Sequence, residues 1–536
     1  MKRIKLKNIQ NLIVCTLFLY VVTLMDTLTY GRSVFTKTND LEIINIGIYI
    51  YFYGTFISQI LFNVFTKIES GLMASIIVEN YYISRKIYLT CQSTDIVYTV
   101  TNCLLCCALS TLLFSFILFG IKFSKLYVYC NYIPKPIFTG CLFFIGFIQL
   151  ETGYKIVSDS YISLILSALL FLIFIYYEFK YPDLPYLIIL LCFIAISGFY
   201  VFIFAINGIF YKYTISELLS LCREKNIICE STSVDLKPTF ILQYISFSKI
   251  DKQLIIRNIK HIISMAIFST IHFAECYPIF KDLSGKQFTF ENEIQAQALT
   301  NLFTTFTCYP SYFIASDSYA FLKSGAYFRS YGILAAIPLL SIIVTGPLLN
   351  KYIPKCLLGG IPMFISIYFI FPALQDFKKS TKLEYLVALV IPIGLYFIEL
   401  QIIPLVLALC LFIIISQNKI YECKNKNKEP FEIIERLRHT HIIIRVLQFT
   451  NLKPLNDRLN TIFINKNKEY YYDNIEKNYF LIDLEHLIDM DRISREYIID
   501  IPMLYNIEYI FIGNKECKII KEVEKKEYPN VTVCYK

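Results

Sequence analysis

Charge is what this sequence has least of. Asp, Glu, Lys and Arg make up 17% of its 536 residues, against about 25% in soluble globular domains. Hydrophobic residues reach 56% and the mean hydropathy is +0.53. That balance excludes a soluble enzyme, a disordered chain and a collagen-like fibre. Apolar excess on this scale is accommodated in segments of about 20 residues, the length that spans a bilayer as a helix. The chain therefore reads as a polytopic membrane protein.

Tryptophan is absent, while 45 Phe and 42 Tyr bring the aromatics to 16%. Together with the abundance of Ile, Lys and Asn, this looks like AT-biased coding, so single Tyr, Lys or Asn enrichments carry no weight as signals. No nucleophile–base set is present, which argues against an enzyme. Most of the 17 cysteines lie in apolar runs, where free Cys behaves as a small hydrophobe. Cys103, Cys106 and Cys107 have no second ligand pair nearby, and a structural zinc needs four ligands. No metal or cofactor is expected. Cys222 and Cys229 share a polar loop and are the pair that a disulfide would use. The excess of 51 Lys and Arg over 42 Asp and Glu gives +9, which reads as positive-inside loops rather than nucleic-acid binding.

Residues 1–417 are mostly apolar runs with short polar breaks. After a basic start, Asn11 to Met25 is apolar. No small-residue cleavage site follows, and Asp26 and Arg32 stand where one would be, so this run is expected to remain as a membrane helix. Further spans are expected at 42–65, 98–121, 136–150, 160–179, 183–211, 260–280, 293–308, 331–349, 356–374, 382–397 and 399–416. Two shorter stretches, 71–83 and 311–323, fall short of the roughly 30 Å core. Fourteen elements in all place both termini on one side, expected to be cytoplasmic, and put the polar segment 212–259 on the other.

Tyr132-Ile133-Pro134-Lys135 recurs as Tyr352-Ile353-Pro354-Lys355. Each copy follows one of the short apolar stretches. Duplicated halves, each with an abnormally short segment, point to a transporter with an inverted repeat and a substrate site near the midplane. Residues 418–429 form a charged linker. In 430–536, β-rich runs at His441–Leu447, Tyr479–Leu484, Ile507–Ile512 and Val531–Val533 alternate with helical stretches at Arg492–Ile499 and Cys517–Glu527. That pattern predicts a small α/β domain.

Ordered short motifs resemble the SulP-type sulfate permease family, most nearly a fungal branch with vacuolar members. Met25-Asp26-Thr27-Leu28-Thr29-Tyr30-Gly31 is similar to that branch's first-helix L-D-A-L-S-Y-G. Ser58-Gln59, Ile133-Pro134 through Gly140-Cys141, and Glu151-Thr152-Gly153 follow in family order. So do Ile271-His272 with Pro278, Asn292 to Asn301, and Ser316-Asp317-Ser318. The resemblance implies a 14-segment, 7+7 inverted-repeat fold with core and gate domains. It also implies a cytosolic STAS-like domain at 430–536, and a homodimer. Its implied function is secondary-active transport of sulfate or a related inorganic anion, with a proton as a coupled partner. A proton- or cation-coupled carrier of another solute, and a non-transporting scaffold, are the alternatives. Plasma membrane and vacuole-like membrane both remain open.

The substrate-binding candidates are Asp26, Tyr30, Ser75, Glu79, Ser316, Asp317 and Ser318. Asp26 is an ionisable residue in a membrane run, which by default marks function, and Tyr30 lies one helical turn on. Ser75 and Glu79 are expected on the first short helix, whose N-terminal N–H groups suit an anionic oxygen. Ser316 and Ser318 can donate to an oxyanion. Asp317 repels one, and it stands where the resemblance implies an Arg. His272 and Glu293 are expected to make helix-to-helix hydrogen bonds.

Overall fold

The computed structural model describes Lys2 to Tyr535 apart from 32–33, 36–40, 76–77, 127–134, 182–186, 212, 229–239, 286–287, 343–351, 381, 398–403, 405, 415–416, 418–430, 436–438, 445, 448–454, 456–457, 460–478, 485–486, 488, 491–496, 500–507, 514–516, 527 and 529. The chain divides into two compact units. The first comprises Met1–Cys130, Leu142–Phe371 and Glu399–Ile402; the second comprises Asn131–Cys141, Pro372–Ile398 and Ile403–Lys536.

Eight described helices are long and apolar enough to cross a bilayer, running from Asn11–Gly31 to Lys355–Lys378. In chain order the helices are α1 Lys2–Asp26, α2 Leu41–Phe65, α3 Val78–Cys91, α4 Ile96–Phe123, α5 Lys135–Val157, α6 Tyr161–Lys180 and α7 Leu187–Ile206. There follow α8 Ile215–Glu224, α9 Lys252–Ser284, α10 Phe290–Thr304, α11 Ala315–Lys323, α12 Arg329–Ala336, α13 Lys355–Lys379 and α14 Lys382–Phe397. The two YIPK copies thus end on the first residues of α5 and α13, Lys135 and Lys355.

The first unit is held by close backbone approach and by polar groups answered across helices. A Cβ on Gly47 would stand 2.3 Å from the Gly31 carbonyl oxygen, so only glycine lets α2 cross the end of α1. Ser115 of α4 donates to the Ala298 carbonyl of α10 at 2.8 Å, and Ser167 of α6 donates to the Cys356 carbonyl of α13 at 2.8 Å. Hydroxyl-to-carbonyl bonds of this kind join helices where lipid offers no partner.

Two short strands interrupt the helices: β1 Met73–Ala74 before α3, and β2 Tyr312–Phe313 before α11. They pair antiparallel, Met73 opposite Phe313 and Ala74 opposite Tyr312. Non-helical backbone inside a membrane is tolerated only where protein satisfies it. Here it is also packed: Phe313 stacks on Tyr277 at 4.6 Å and meets Phe280 and Phe62 at 5.2 and 5.7 Å.

The polar segment after α7 carries α8, capped by a reciprocal Thr214–Glu217 box. Cys222 is a buried free thiol, and Cys229 lies outside the described residues. The later part of the segment is fastened to α4: Thr101 donates to the Tyr244 carbonyl at 3.1 Å, Asn102 donates to that of Lys249 at 3.0 Å, and Lys249 pairs with Asp95.

In the second unit, Gly140 of α5 abuts α14, a Cβ there standing 2.7 Å from the Ala388 carbonyl oxygen. The same unit holds a five-stranded sheet of order β3-β4-β6-β8-β9. Its strands are β3 Phe431–Glu435, β4 His439–Ile444, β6 Tyr479–Asp483, β8 Glu508–Gly513 and β9 Val531–Tyr535, and a short pair is formed by β5 Val446–Leu447 and β7 Asp489–Met490. β3 is antiparallel to β4; the remaining pairs are parallel. Alternate residues Ile442, Ile444, Phe480, Ile482, Tyr509 and Phe511 face a core shared with Ile519, Ile520 and Val523 of α15, Lys518–Lys525.

Candidate functional site

Asp26 is the last α-helical residue of the first span. Thr27–Gly31 continues as a π-helical turn, buried throughout. The expectation of one α-turn between Asp26 and Tyr30 is therefore corrected: the turn is wider, a form that recurs at functional sites. Tyr30 stacks on Tyr51 of α2, with ring centroids 6.3 Å apart. Its hydroxyl lies 3.1 to 3.2 Å from both amide atoms of Gln149 in α5.

Asp317 is in the first turn of α11, and it lies within electrostatic reach of Asp26. Both carboxyls are only partly buried. The buried Tyr51 hydroxyl sits in the field of Asp26, Tyr30, Asp317 and Tyr312 together. Tyr312 belongs to β2, accepts from the Asn80 amide of α3, and packs beside His272 at 5.3 Å. The first span, α2, β2 and α11 thus bring two acidic and three tyrosine side chains into one electrostatic neighbourhood, of which Tyr312 belongs to β2.

The placement of the serines departs in part from the sequence reading. Ser75 is not on a helix with Glu79. The chain from Gly71 to Ser75 is extended, because β1 pairs with β2, and α3 begins at Val78. The Ser75 N–H donates to Thr55 Oγ1 at 3.1 Å, and its buried hydroxyl has no hydrogen-bond partner among the described residues. Ser318 is on α11 as expected, but its Oγ accepts the Leu72 N–H at 2.9 Å. It fastens α11 to the stretch just ahead of β1 and keeps its own proton to donate. The side chains of Glu79 and Ser316 lie outside the described residues.

Glu293 and His272 act between and along helices. Glu293 is fully buried, accepts the Thr66 hydroxyl and accepts the Lys67 N–H at 3.0 Å. His272 lies 3.2 Å from Cys276 Sγ, one turn on. Sequence reasoning missed Tyr51, Gln149 and Tyr312. Discounting tyrosine as compositional hid two of them, and Gln149 is a single polar residue in an apolar run. The signal available was their spacing around Asp26 and β2, which only the fold supplies.

A sequence profile described as the Sulfate permease family matches residues 11–391. The vacuolar basic amino acid transporter VSB1 of Saccharomyces cerevisiae is 19% identical over 432 residues, which are 75% of this chain and 40% of that protein. The chain therefore spans well under half the length of that curated relative. Among solved structures, the transmembrane domain of the cyanobacterium bicarbonate transporter BicA is similar over 75% of this chain and 97% of its own, at 13% identity and a TM-score of 0.51. The overall structure of SLC26A9 is similar over 98% of this chain and 88% of its own, at 12% identity and a TM-score of 0.56. The murine Slc26a9 anion transporter in its inward-facing state matches over 98% and 89%, at 12% identity and 0.54. Identities this low speak to fold, which is that of a helical membrane transporter. With its profile covering most of the length and its fold shared with these transporters, the chain belongs to the sulfate permease family.

Proposed function

We propose that this protein is a secondary-active transporter whose site, at the crossing of β1 and β2, takes up its solute together with positive charge. The observation that carries this reading is the placement of Asp26 and Asp317 within each other's field. Two carboxylates in a weakly screened setting repel each other and any bare anion. A proton or another cation between them removes that repulsion. Family membership supports an inorganic anion, sulfate or a related oxyanion, carried with a proton. The lining candidates remain Asp26, Tyr30, Ser75, Glu79, Ser316, Asp317 and Ser318.

The same acidic pair favours a second reading, a solute bearing its own cationic group. The yeast relative, a vacuolar basic amino acid transporter by name, carries solutes of that chemistry. In either case the halves are taken to be inverted repeats, since strand then short helix occurs twice. The five-stranded sheet is taken as a STAS-like cytosolic domain of a homodimer.

The test is flux into proteoliposomes of labelled sulfate and labelled arginine, at matched and at opposed pH. Uptake of sulfate that rises with acidity on the loading side supports the first reading. Uptake of arginine, with sulfate ignored, supports the second. Sulfate flux indifferent to pH would remove Asp26 and Asp317 from the mechanism, and no flux of either solute would favour the scaffold.

A further inference from the structure

One sequence spacing occurs twice in the membrane region and is explained by neither packing nor the acidic pair. Gln59 and Asn63 stand four apart on α2, and Gln297 and Asn301 stand four apart on α10. All four side chains are almost completely buried. A buried amide in a membrane helix must be answered by a partner, and each pair is answered by the extended backbone that follows its own helix.

On the first side, Gln59 Nε2 donates to the Gly71 carbonyl at 3.0 Å, and Gln59 Oε1 accepts the Met73 N–H at 2.8 Å. Asn63 Nδ2 donates to the same Gly71 carbonyl at 3.1 Å. On the second side, Gln297 Nε2 donates to the Ser311 carbonyl, Asn301 Nδ2 donates to it at 2.9 Å, and Asn301 Oδ1 accepts the Ser311 N–H at 2.8 Å. In both halves a Gln and an Asn converge on one carbonyl just ahead of the strand, and one of the two, Gln59 in the first and Asn301 in the second, also accepts an N–H from the same stretch. The geometry points to two equivalent amide clamps, Gln59 with Asn63 and Gln297 with Asn301, as positioning residues that fix the β1–β2 crossing and so aim the transport site beside it.

The physical need is specific. Chain that leaves the helical form in a membrane exposes N–H and C=O groups that lipid cannot satisfy. Strands of two residues pair too few of them. An Asn or Gln side chain offers a donor and an acceptor in one plane, the complement of a peptide group. A Leu there removes both. A Glu or Asp keeps the acceptor and loses the donor.

The clamps rest on the reading that transport occurs at the crossing, so the test separates structure from flux. Ile314→Trp, on the residue after β2, gives a chain whose only tryptophan reports on the crossing. In that background Gln59→Leu and Asn301→Leu should raise the acrylamide quenching constant about two- to threefold, with helical content unchanged. Gln59→Glu and Asn301→Asp should fall between, because the Met73 and Ser311 N–H groups keep their acceptors. In proteoliposomes the Leu variants should raise KM for labelled sulfate or labelled arginine about five- to tenfold, the scale of one or two lost hydrogen bonds, while the maximal rate holds. Unchanged quenching in folded Leu variants would overturn the proposal, as would Glu and Asp variants no better than the Leu ones. Raised quenching in the Leu variants, when the Ile314→Trp parent carries neither solute, would leave the clamps standing and remove the transport reading instead.

Discussion

Gly153 of α5 rests directly on Gly359 of α13: a Cβ on Gly153 would stand 2.5 Å from the Gly359 carbonyl oxygen, and one on Gly359 would stand 2.8 Å from that of Gly153. Contacts between small residues of this kind let two membrane helices approach to backbone distance. Gly359→Val would also strike Val157 Cγ1, 2.5 Å away. It should destabilise the protein by about 1–3 kcal/mol, the usual effect of overpacking, read as a lower melting temperature in detergent. Gly120→Ala, with nothing within 4 Å of the new methyl, should leave that temperature unchanged or raise it.

On the proposed function, the acidic pair is expected to set the pH response of transport. If one proton accompanies each turnover, flux should rise by roughly tenfold per unit of acidification over the responsive range, the linkage limit for one proton. Asp26→Asn should flatten that slope, and Asp317→Arg should weaken it and favour anions over cations. The measurement is initial rate against loading-side pH for all three proteins. Parallel curves would exclude both residues from coupling.

Gly54 shapes the approach of Ser75. A Cβ there would stand 2.1 Å from Ser75 Oγ and 2.8 Å from its Cβ. Gly54→Ala should therefore displace the stretch after β1 and raise KM severalfold. Adding Ser75→Gly removes both struck atoms and should restore the melting temperature that Gly54→Ala lowers, while KM stays raised because the Ser75 hydroxyl is gone. A double variant melting no higher than Gly54→Ala would show that the defect lies elsewhere.

The segment held to α4 should release only in strong acid. Asp95 is held below its usual 3.8 by its hydrogen bond with Lys249, and Asp251 below 3.8 by the hydrogen bond from Tyr98. Lowered carboxylates contribute stability that is full above the unfolded value and is lost as pH falls through the folded one. Hydrogen exchange of residues 244–251, corrected at each pH for the intrinsic rate of the free amide, should thus be flat from about pH 8 to 5 and climb below about pH 4. Asp251→Asn should raise it at neutral pH. A climb already complete by pH 5 would place the sensitive group elsewhere.

Much of the frame was legible because it is periodic or repeated. Long apolar runs marked the eight spans found among the described residues, though the runs expected at 293–308, 331–349, 382–397 and 399–416 are not among those eight, and the YIPK repeat fell at the starts of α5 and α13. β-rich runs marked β4, β6, β8 and β9 of the sheet, whereas β3, Phe431–Glu435, was not expected. The crossing was not legible. Two-residue strands have no period, and Leu72-Met73-Ala74 reads as helix until Tyr312 and Phe313 are placed against it. For the same reason Ser75 was put on a helix that begins at Val78. Asp26 and Asp317 could be named from sequence, but their proximity is a property of the fold. The Gln and Asn spacing was present in the text and carried no meaning until both copies were seen to hold backbone.

Because β1 and β2 share backbone hydrogen bonds, and Ser318 ties α11 to Leu72, the two short helices form one mechanical piece. A passenger lodged beside them cannot be admitted by prising them apart, since that would strip peptide groups of partners where lipid offers none. On the proposed function, a solute held there is expected to travel together with both short helices as one cargo.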